Sequence, residues 1–204
     1  MCERPSADLT IIVPVYNDRD SILPLAREVE DAFRGCAFSY ELLFVDDGSA
    51  DDPGAVFEQN GLRSVRHEEN RGYGAALKTG VLASDSEFVC FIDCDGTYPA
   101  EAILEMMPHA RSHSMVVGAR DPRQNPWQAY LGKRISTFLL GAAFGRKVAD
   151  INSGLRIVRR SAFLEYLPAL RDKFSITSSL TYAHQLPRPP PNCWPRTWAT
   201  CNSA

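Results

Sequence analysis

A chain of 204 residues, 45% of them hydrophobic, is long enough for one well-buried domain and too short for two comfortable ones. Its formal net charge of -3 excludes the global basic field on which nucleic-acid binding rests, so no nucleic-acid partner is expected. The six cysteines (Cys2, Cys36, Cys90, Cys94, Cys193 and Cys201) lack close paired spacing, which points to reduced thiols rather than a disulfide framework or a zinc site.

Met1 to Asp8 carries mixed charge without a signal-peptide pattern, so a cytoplasmic location is expected. No apolar run reaches the ~20 residues that cross a bilayer. The best, Phe138 to Phe144, is too short, and any work at a membrane is expected from its surface. Leu9 to Val15 reads as a central parallel strand closed by Pro14, Tyr16 and the turn-prone Asn17-Asp18. Ser21 to Phe33 has helical spacing, with Ile22, Leu25, Val29 and Phe33 on one face. Tyr40 to Val45 is a second strand, ending in Asp46-Asp47-Gly48-Ser49. A short strand around Leu62 to Val65 precedes Asn70-Arg71-Gly72-Tyr73-Gly74 and an amphipathic helix through Ala83. As a turn, NRGYG reads equally as a flexible helix start or as a ligand contact.

Phe88 to Ile92 is the next strand, and it stops abruptly at Asp93-Cys94-Asp95-Gly96. Ala100 to Arg111 reads as helix, Met115 to Gly118 as strand, Arg120 to Arg123 as a cationic loop and Trp127 to Phe144 as a longer helix. After the polar turn Asp150 to Gly154, a strand spans Leu155 to Val158 and a helix starts at Ser161. Phe174 to His184 fits either helix or strand. Residues 1–184 are thus expected to form the domain, and residues 185–204, rich in proline and without periodicity, a disordered or polyproline tail.

Strands alternating with helices predict an α/β fold: a Rossmann-like, mostly parallel central sheet with helices on both faces. Ligands of such sheets bind beyond the carboxyl ends of the strands, where Asp93 and Asp95 fall. Two hard oxygen donors one residue apart suit Mg²⁺ or Mn²⁺ carrying phosphate oxygens, although an acidic turn that ends a strand would look the same. Neither G-x-G-x-x-G after the first strand nor a P-loop occurs, which argues against a dinucleotide or P-loop site.

Taken together and in order, IIVPVYND, ELLFVDDGSADD, NRGYGAALKTG, FIDCDGTYP, VVGAR and DINSGLRIVRR resemble the family 2 glycosyltransferases of GT-A fold. The resemblance runs from Thr10 to His184 and is strongest to the branch with dolichol-phosphate mannose synthase and the bacterial polyprenyl-phosphate glycosyltransferases. It implies a metal-dependent, inverting transfer of a hexose from a GDP- or UDP-sugar to a polyprenyl phosphate, with Mg²⁺ or Mn²⁺ as cofactor, at the cytoplasmic membrane surface. By the same resemblance Pro14, Tyr16 and Asp18 contact base and ribose, Asp18 standing where the family usually has Glu. Asp46 or Asp47 reads the base, with Asp47 favoured, and Asp93 and Asp95 hold ribose and metal. Arg120 lies near the phosphates, and Lys133, Arg134 and Ser136 fall in the acceptor-phosphate segment. From the residues alone, Lys133-Arg134 reads as a solvated helix face.

A polyprenyl phosphate is already an anion and needs no general base, whereas a hydroxyl acceptor would need a carboxylate such as Asp150. That second acceptor class stays open, as does a third reading. The tail QLPRPPPNCWPRTWATCNSA departs from the family and reads as a truncated or altered end, which would leave an inactive nucleotide-sugar-binding domain.

Overall fold

The computed structural model describes residues 7–118, 153–170, 172 and 176–185. Its strands are β1 (Leu9–Val15), β2 (Tyr40–Asp46), β3 (Arg63–Arg66), β4 (Phe88–Phe91), β5 (Met115–Val117) and β6 (Arg156–Arg159). Its helices are α1 (Ile22–Ala32), α2 (Gly54–Gln59), α3 (Tyr73–Ala83), α4 (Glu101–Ala110), α5 (Arg160–Tyr166) and α6 (Ile176–Gln185). A 3₁₀ turn at Arg19–Ser21 leads into α1 and another at Leu167–Ala169 follows α5.

The six strands form one sheet in the order β3-β2-β1-β4-β6-β5. β1 is central because its side chains are apolar toward both faces: Leu9, Ile11, Val13 and Val15 pack one way and Ile12 the other. It pairs in parallel with β2, from Leu9 opposite Tyr40 to Val15 opposite Asp46, and with β4, from Leu9 opposite Phe88 to Ile12 opposite Phe91. β6 runs antiparallel to both β4 and β5, so the sheet is mixed and mostly parallel.

One face is covered by α1 and α4, whose Ile22, Leu25, Val29, Ile103 and Met107 join Phe44 and Phe57. The other carries α3, α5 and α6 through Leu77, Val81, Phe163, Ile176 and Leu180. Each such buried side chain contributes roughly 1.5–3 kcal/mol, which is why the apolar spacing along α1 decides where that helix lies.

The segment that fitted helix or strand is helix α6. α2 has no counterpart in the sequence reading, because six residues opening on Pro53-Gly54 offer little apolar periodicity. The strand expected at Leu62 begins one residue later, as does the one expected at Leu155. The helix expected over 127–144 lies outside the described residues.

Candidate functional site

Because β1, β2 and β4 are parallel and β6 is antiparallel to β4 and β5, one sheet edge collects the C-terminal ends of β1, β2, β4 and β5 and the N-terminal end of β6. The chain leaves β1 toward β2 and β3 and returns to β4 on the other side, which puts the switch point between β1 and β4. A crevice opens at such a point because neighbouring connections part to opposite faces. Asp93 and Asp95 extend β4 there, and Pro14 to Asp18 end β1 beside them.

Pro14 is half-buried, Tyr16 is 52% exposed and Asp18 is half-buried. Asp18 accepts a hydrogen bond from Ser21 Oγ at 2.5 Å, which fixes the carboxylate on the turn into α1. Asn17 takes the left-handed region at φ 53°. Its N–H donates to Ser49 Oγ (3.0 Å) and its Oδ1 accepts from the Ala50 N–H (2.8 Å), so the ends of β1 and β2 are tied together.

Asp46 and Asp47 are both buried, at 1% and 3% exposure. Asp46 Oδ1 accepts the Ser49 N–H at 2.9 Å, while Oδ2 faces Arg66 Nε at 3.3 Å without an aligned hydrogen bond. Asp47 holds the loop that starts α3: Oδ1 accepts the Arg71 N–H (2.9 Å) and Oδ2 the Gly72 N–H (2.8 Å). Oδ1 also pairs with His67 Nδ1 at 2.6 Å, and His67 Nε2 with Thr79 Oγ1 at 2.8 Å. A carboxylate can only accept, so Nδ1 is the nitrogen that donates. Gly48, at φ 73°, lets this loop cross closely, because a Cβ there would stand 2.5 Å from the Glu69 carbonyl carbon.

Asp93 is half-buried, and Tyr73 donates its hydroxyl to Asp93 Oδ1 at 2.9 Å. Burial first, and the Asp93 charge next, hold the Tyr73 phenol protonated well above its usual range, so it remains a donor. Asp95 is exposed and accepts the Thr97 N–H at 2.9 Å. Cys94, buried between the two acids, registers how closely carboxylates gather here. Burial, then Asp18, Asp95 and Asp93, push its thiol up to about 12. Three acids from two neighbouring strand ends thus lie near enough for their charges to act on this thiol.

The turn before β6 closes the other side. Ser153 Oγ donates to the Gly118 carbonyl, and the Tyr98 hydroxyl accepts the Gly154 N–H at 3.1 Å. Arg156, fully buried, donates from Nε to the Ser153 carbonyl (2.8 Å) and from Nη1 to the Thr177 carbonyl (2.8 Å) and Thr181 Oγ1 (2.6 Å). A Cβ on Gly154 would lie 2.0 Å from Asp93 Oδ2.

Among the described residues, no group of three His, Cys, Asp or Glu side chains is arranged to hold a metal ion by itself. An ion that arrives with a diphosphate needs only one or two protein carboxylates, so Asp93 and Asp95 fit such a group. No helix among the described residues is long and apolar enough to cross a membrane. Arg120, Lys133, Arg134, Ser136 and Asp150 lie outside the described residues. Sequence reasoning gave no role to His67, Tyr98 or Arg156, and it met Tyr73 and Gly154 only as parts of turns. Nothing local marks these five; they matter through contacts with residues far away in the chain.

A polar groove lined by Arg111, His113, Arg159 and Glu165 sits at the opposite sheet edge, away from the acids. Its Arg159 is already engaged by Glu87 and by the Phe88 ring.

Residues 10–167 match the family described as Glycosyl transferase family 2. The undecaprenyl-phosphate 4-deoxy-4-formamido-L-arabinose transferase of Sodalis glossinidius (strain morsitans) is 33% identical over 159 residues, 74% of this chain and 49% of that protein. The enzyme of the same name from Serratia proteamaculans (strain 568) is 30% identical over 163 residues, 76% and 50%. The chain thus spans about half the length of the curated relatives it matches. In fold it resembles glucosyl-3-phosphoglycerate synthase from Mycobacterium tuberculosis, solved with Mn²⁺, uridine diphosphate and glucosyl-3-phosphoglycerate. The TM-score is 0.66 at 20% identity, over 86% of this chain and 64% of that one. The α/β sheet with its acids at the switch point, the ordered motifs from Thr10 onward and the match across most of the described core agree: this chain belongs to glycosyl transferase family 2.

Proposed function

We propose that this chain is the donor-binding and catalytic domain of a glycosyltransferase that moves a sugar from a nucleotide diphosphate to a polyprenyl phosphate, with inversion, at the cytoplasmic membrane surface. The observation that carries it is the placement of Asp18 after β1 and of Asp93 and Asp95 after β4, at neighbouring strand ends of the switch point, in a chain of this family. Carboxylates crowded at one place repel a diphosphate unless a cation lies between them, which supports a divalent ion on Asp93 and Asp95. When bound, Mg²⁺ or Mn²⁺ supplies Lewis-acid stabilisation of the charge on the leaving diphosphate.

The chain's own residues do the rest. Tyr16 offers an exposed ring to the base, beside Pro14, and Asp18 faces the ribose. Asp46 and Asp47 border the base pocket, where Asp47 acts through the Arg71-Gly72 loop it holds. Arg120, two residues past Gly118, counters charge as it develops on the phosphates. Lys133, Arg134 and Ser136 receive the acceptor phosphate, an anion that attacks the anomeric carbon without a general base. The names of the curated relatives support the polyprenyl-phosphate acceptor. They also name an arabinose-derived sugar, so the donor set to be tested joins GDP- and UDP-hexoses with a UDP-pentose.

The test is turnover of these donors with undecaprenyl phosphate in detergent, in Mg²⁺, Mn²⁺ or EDTA, followed by organic extraction of labelled lipid. Product in metal and none in EDTA is expected, and Asp95→Asn should abolish it. Product only on a soluble hydroxyl acceptor would replace the acceptor; none with any donor would leave a nucleotide-sugar-binding domain.

A further inference from the structure

Two contacts connect parts of the site that the sequence keeps apart. Asp47 on the β2 end grips the Arg71 and Gly72 amides, and His67 in turn grips Asp47. Tyr73, the next residue, delivers its hydroxyl to Asp93 on the β4 end. A loop held by two backbone bonds at consecutive residues has little freedom, so the position of the Tyr73 ring follows from the Asp47 clamp. His67 gives that clamp a single orientation, because its other nitrogen is anchored on α3 through Thr79.

We infer that His67 and Tyr73 are positioning residues that set the Asp93 carboxylate for the divalent ion, so that the β2 end and the acid pair work as one unit. This rests on the donor-binding reading above. The physical reason is that a carboxylate with free rotation about its Cβ–Cγ bond presents its lone pairs to an ion only part of the time. A hydrogen bond on Oδ1 restricts the plane of the group, and the close approach of Gly154 restricts it further. Partners of this kind behind ligating carboxylates are typically worth on the order of 10–100-fold in metal affinity. The ring of Tyr73 packs against the core on the α3 face, so removing the hydroxyl alone leaves that packing intact. Asp47 needs a donor at the place of His67 Nδ1, and an Asn side chain can supply one.

The experiment uses the full chain, with uridine diphosphate and Mn²⁺ as probes and with amide hydrogen exchange as a second readout that needs no ligand. Tyr73→Phe should weaken Mn²⁺-supported binding of uridine diphosphate about tenfold. Binding in EDTA should stay within about twofold of wild type, and the melting temperature nearly unchanged. His67→Ala should weaken metal-supported binding likewise, with a lowered melting temperature because it removes a buried partner of Asp47, and His67→Asn should recover most of both losses. In exchange, His67→Ala should speed the Arg71 and Gly72 amides together with residues 93–97. Tyr73→Phe should speed residues 93–97 and leave Arg71 and Gly72 protected. If Tyr73→Phe leaves both affinity and exchange at wild-type values, or weakens binding equally with and without metal, the positioning role is overturned. If the wild type binds uridine diphosphate equally in Mn²⁺ and EDTA, the metal reading fails, and the exchange pattern still decides whether the clamp sets Asp93.

Discussion

Gly154 lies so close to Asp93 that a single added carbon would stand 2.0 Å from Oδ2. Asp93 follows β4 and Gly154 precedes β6, strands that run in opposite directions, and the two meet because those strands pair from Phe88 opposite Arg159 to Phe91 opposite Arg156. Gly154→Ala must therefore displace the carboxylate or the turn. The expected outcome is loss of at least tenfold in Mn²⁺-supported affinity for uridine diphosphate, measured by calorimetry, with destabilisation of about 1–3 kcal/mol in urea unfolding. Wild-type affinity in this variant would mean that Asp93 does not serve the metal.

Arg120 follows β5 by way of Gly118, whose carbonyl is tied to Ser153 at the acid-bearing edge. A cation that acts as charge builds on the phosphates lowers kcat more than it changes donor affinity. Arg120→Ala should reduce turnover on the order of a hundredfold, or ~3 kcal/mol, with donor affinity changed less than about fivefold. Equal losses in both would assign Arg120 to ground-state binding.

Arg156 is a fully buried guanidinium whose donors reach the Ser153 carbonyl, the Thr177 carbonyl and Thr181 Oγ1. Replacing it by Met keeps much of the volume and removes the donor to the Ser153 carbonyl in a dry interior, while the Thr177 carbonyl keeps the Thr181 hydroxyl. Arg156→Met should cost about 3 kcal/mol of stability, read from chemical unfolding. Arg156→Lys should rescue little, since one ammonium cannot span acceptors on both the turn before β6 and α6.

His184 on α6 packs its ring against Tyr166, with Nδ1 on the Leu180 carbonyl at 2.9 Å. Burial first lowers its pKa, with Arg156 adding to the effect. A histidine with a depressed folded pKa contributes stability above its unfolded value, and that stability is lost as pH falls toward the folded one. The melting temperature should thus decline on acidification below about 6.5, the unfolded value. His184→Phe should flatten that part of the profile; an unchanged slope would assign the decline to other groups.

The sequence by itself determined the order of the described strands and of the described helices other than α2 and α6, because continuous apolar runs alternating with spacing near 3.6 leave few alternatives. It also determined which carboxylates stand at strand ends: Asp46, Asp47, Asp93 and Asp95 each follow an apolar run that must stop where charge begins. What it could not determine was which of these acids share a place and which are spent internally. That depends on the strand order, which puts Asp18 and Asp93 at neighbouring ends of β1 and β4, and on the loop that Asp47 grips at Arg71 and Gly72. His67, Tyr73, Gly154 and Arg156 carry no local signature, since hydrogen bonds and steric walls between residues separated by about twenty to sixty positions exist only once the sheet has closed. Tertiary structure alone turned an acidic strand end into a held carboxylate, because orientation is a property of partners and not of residue type.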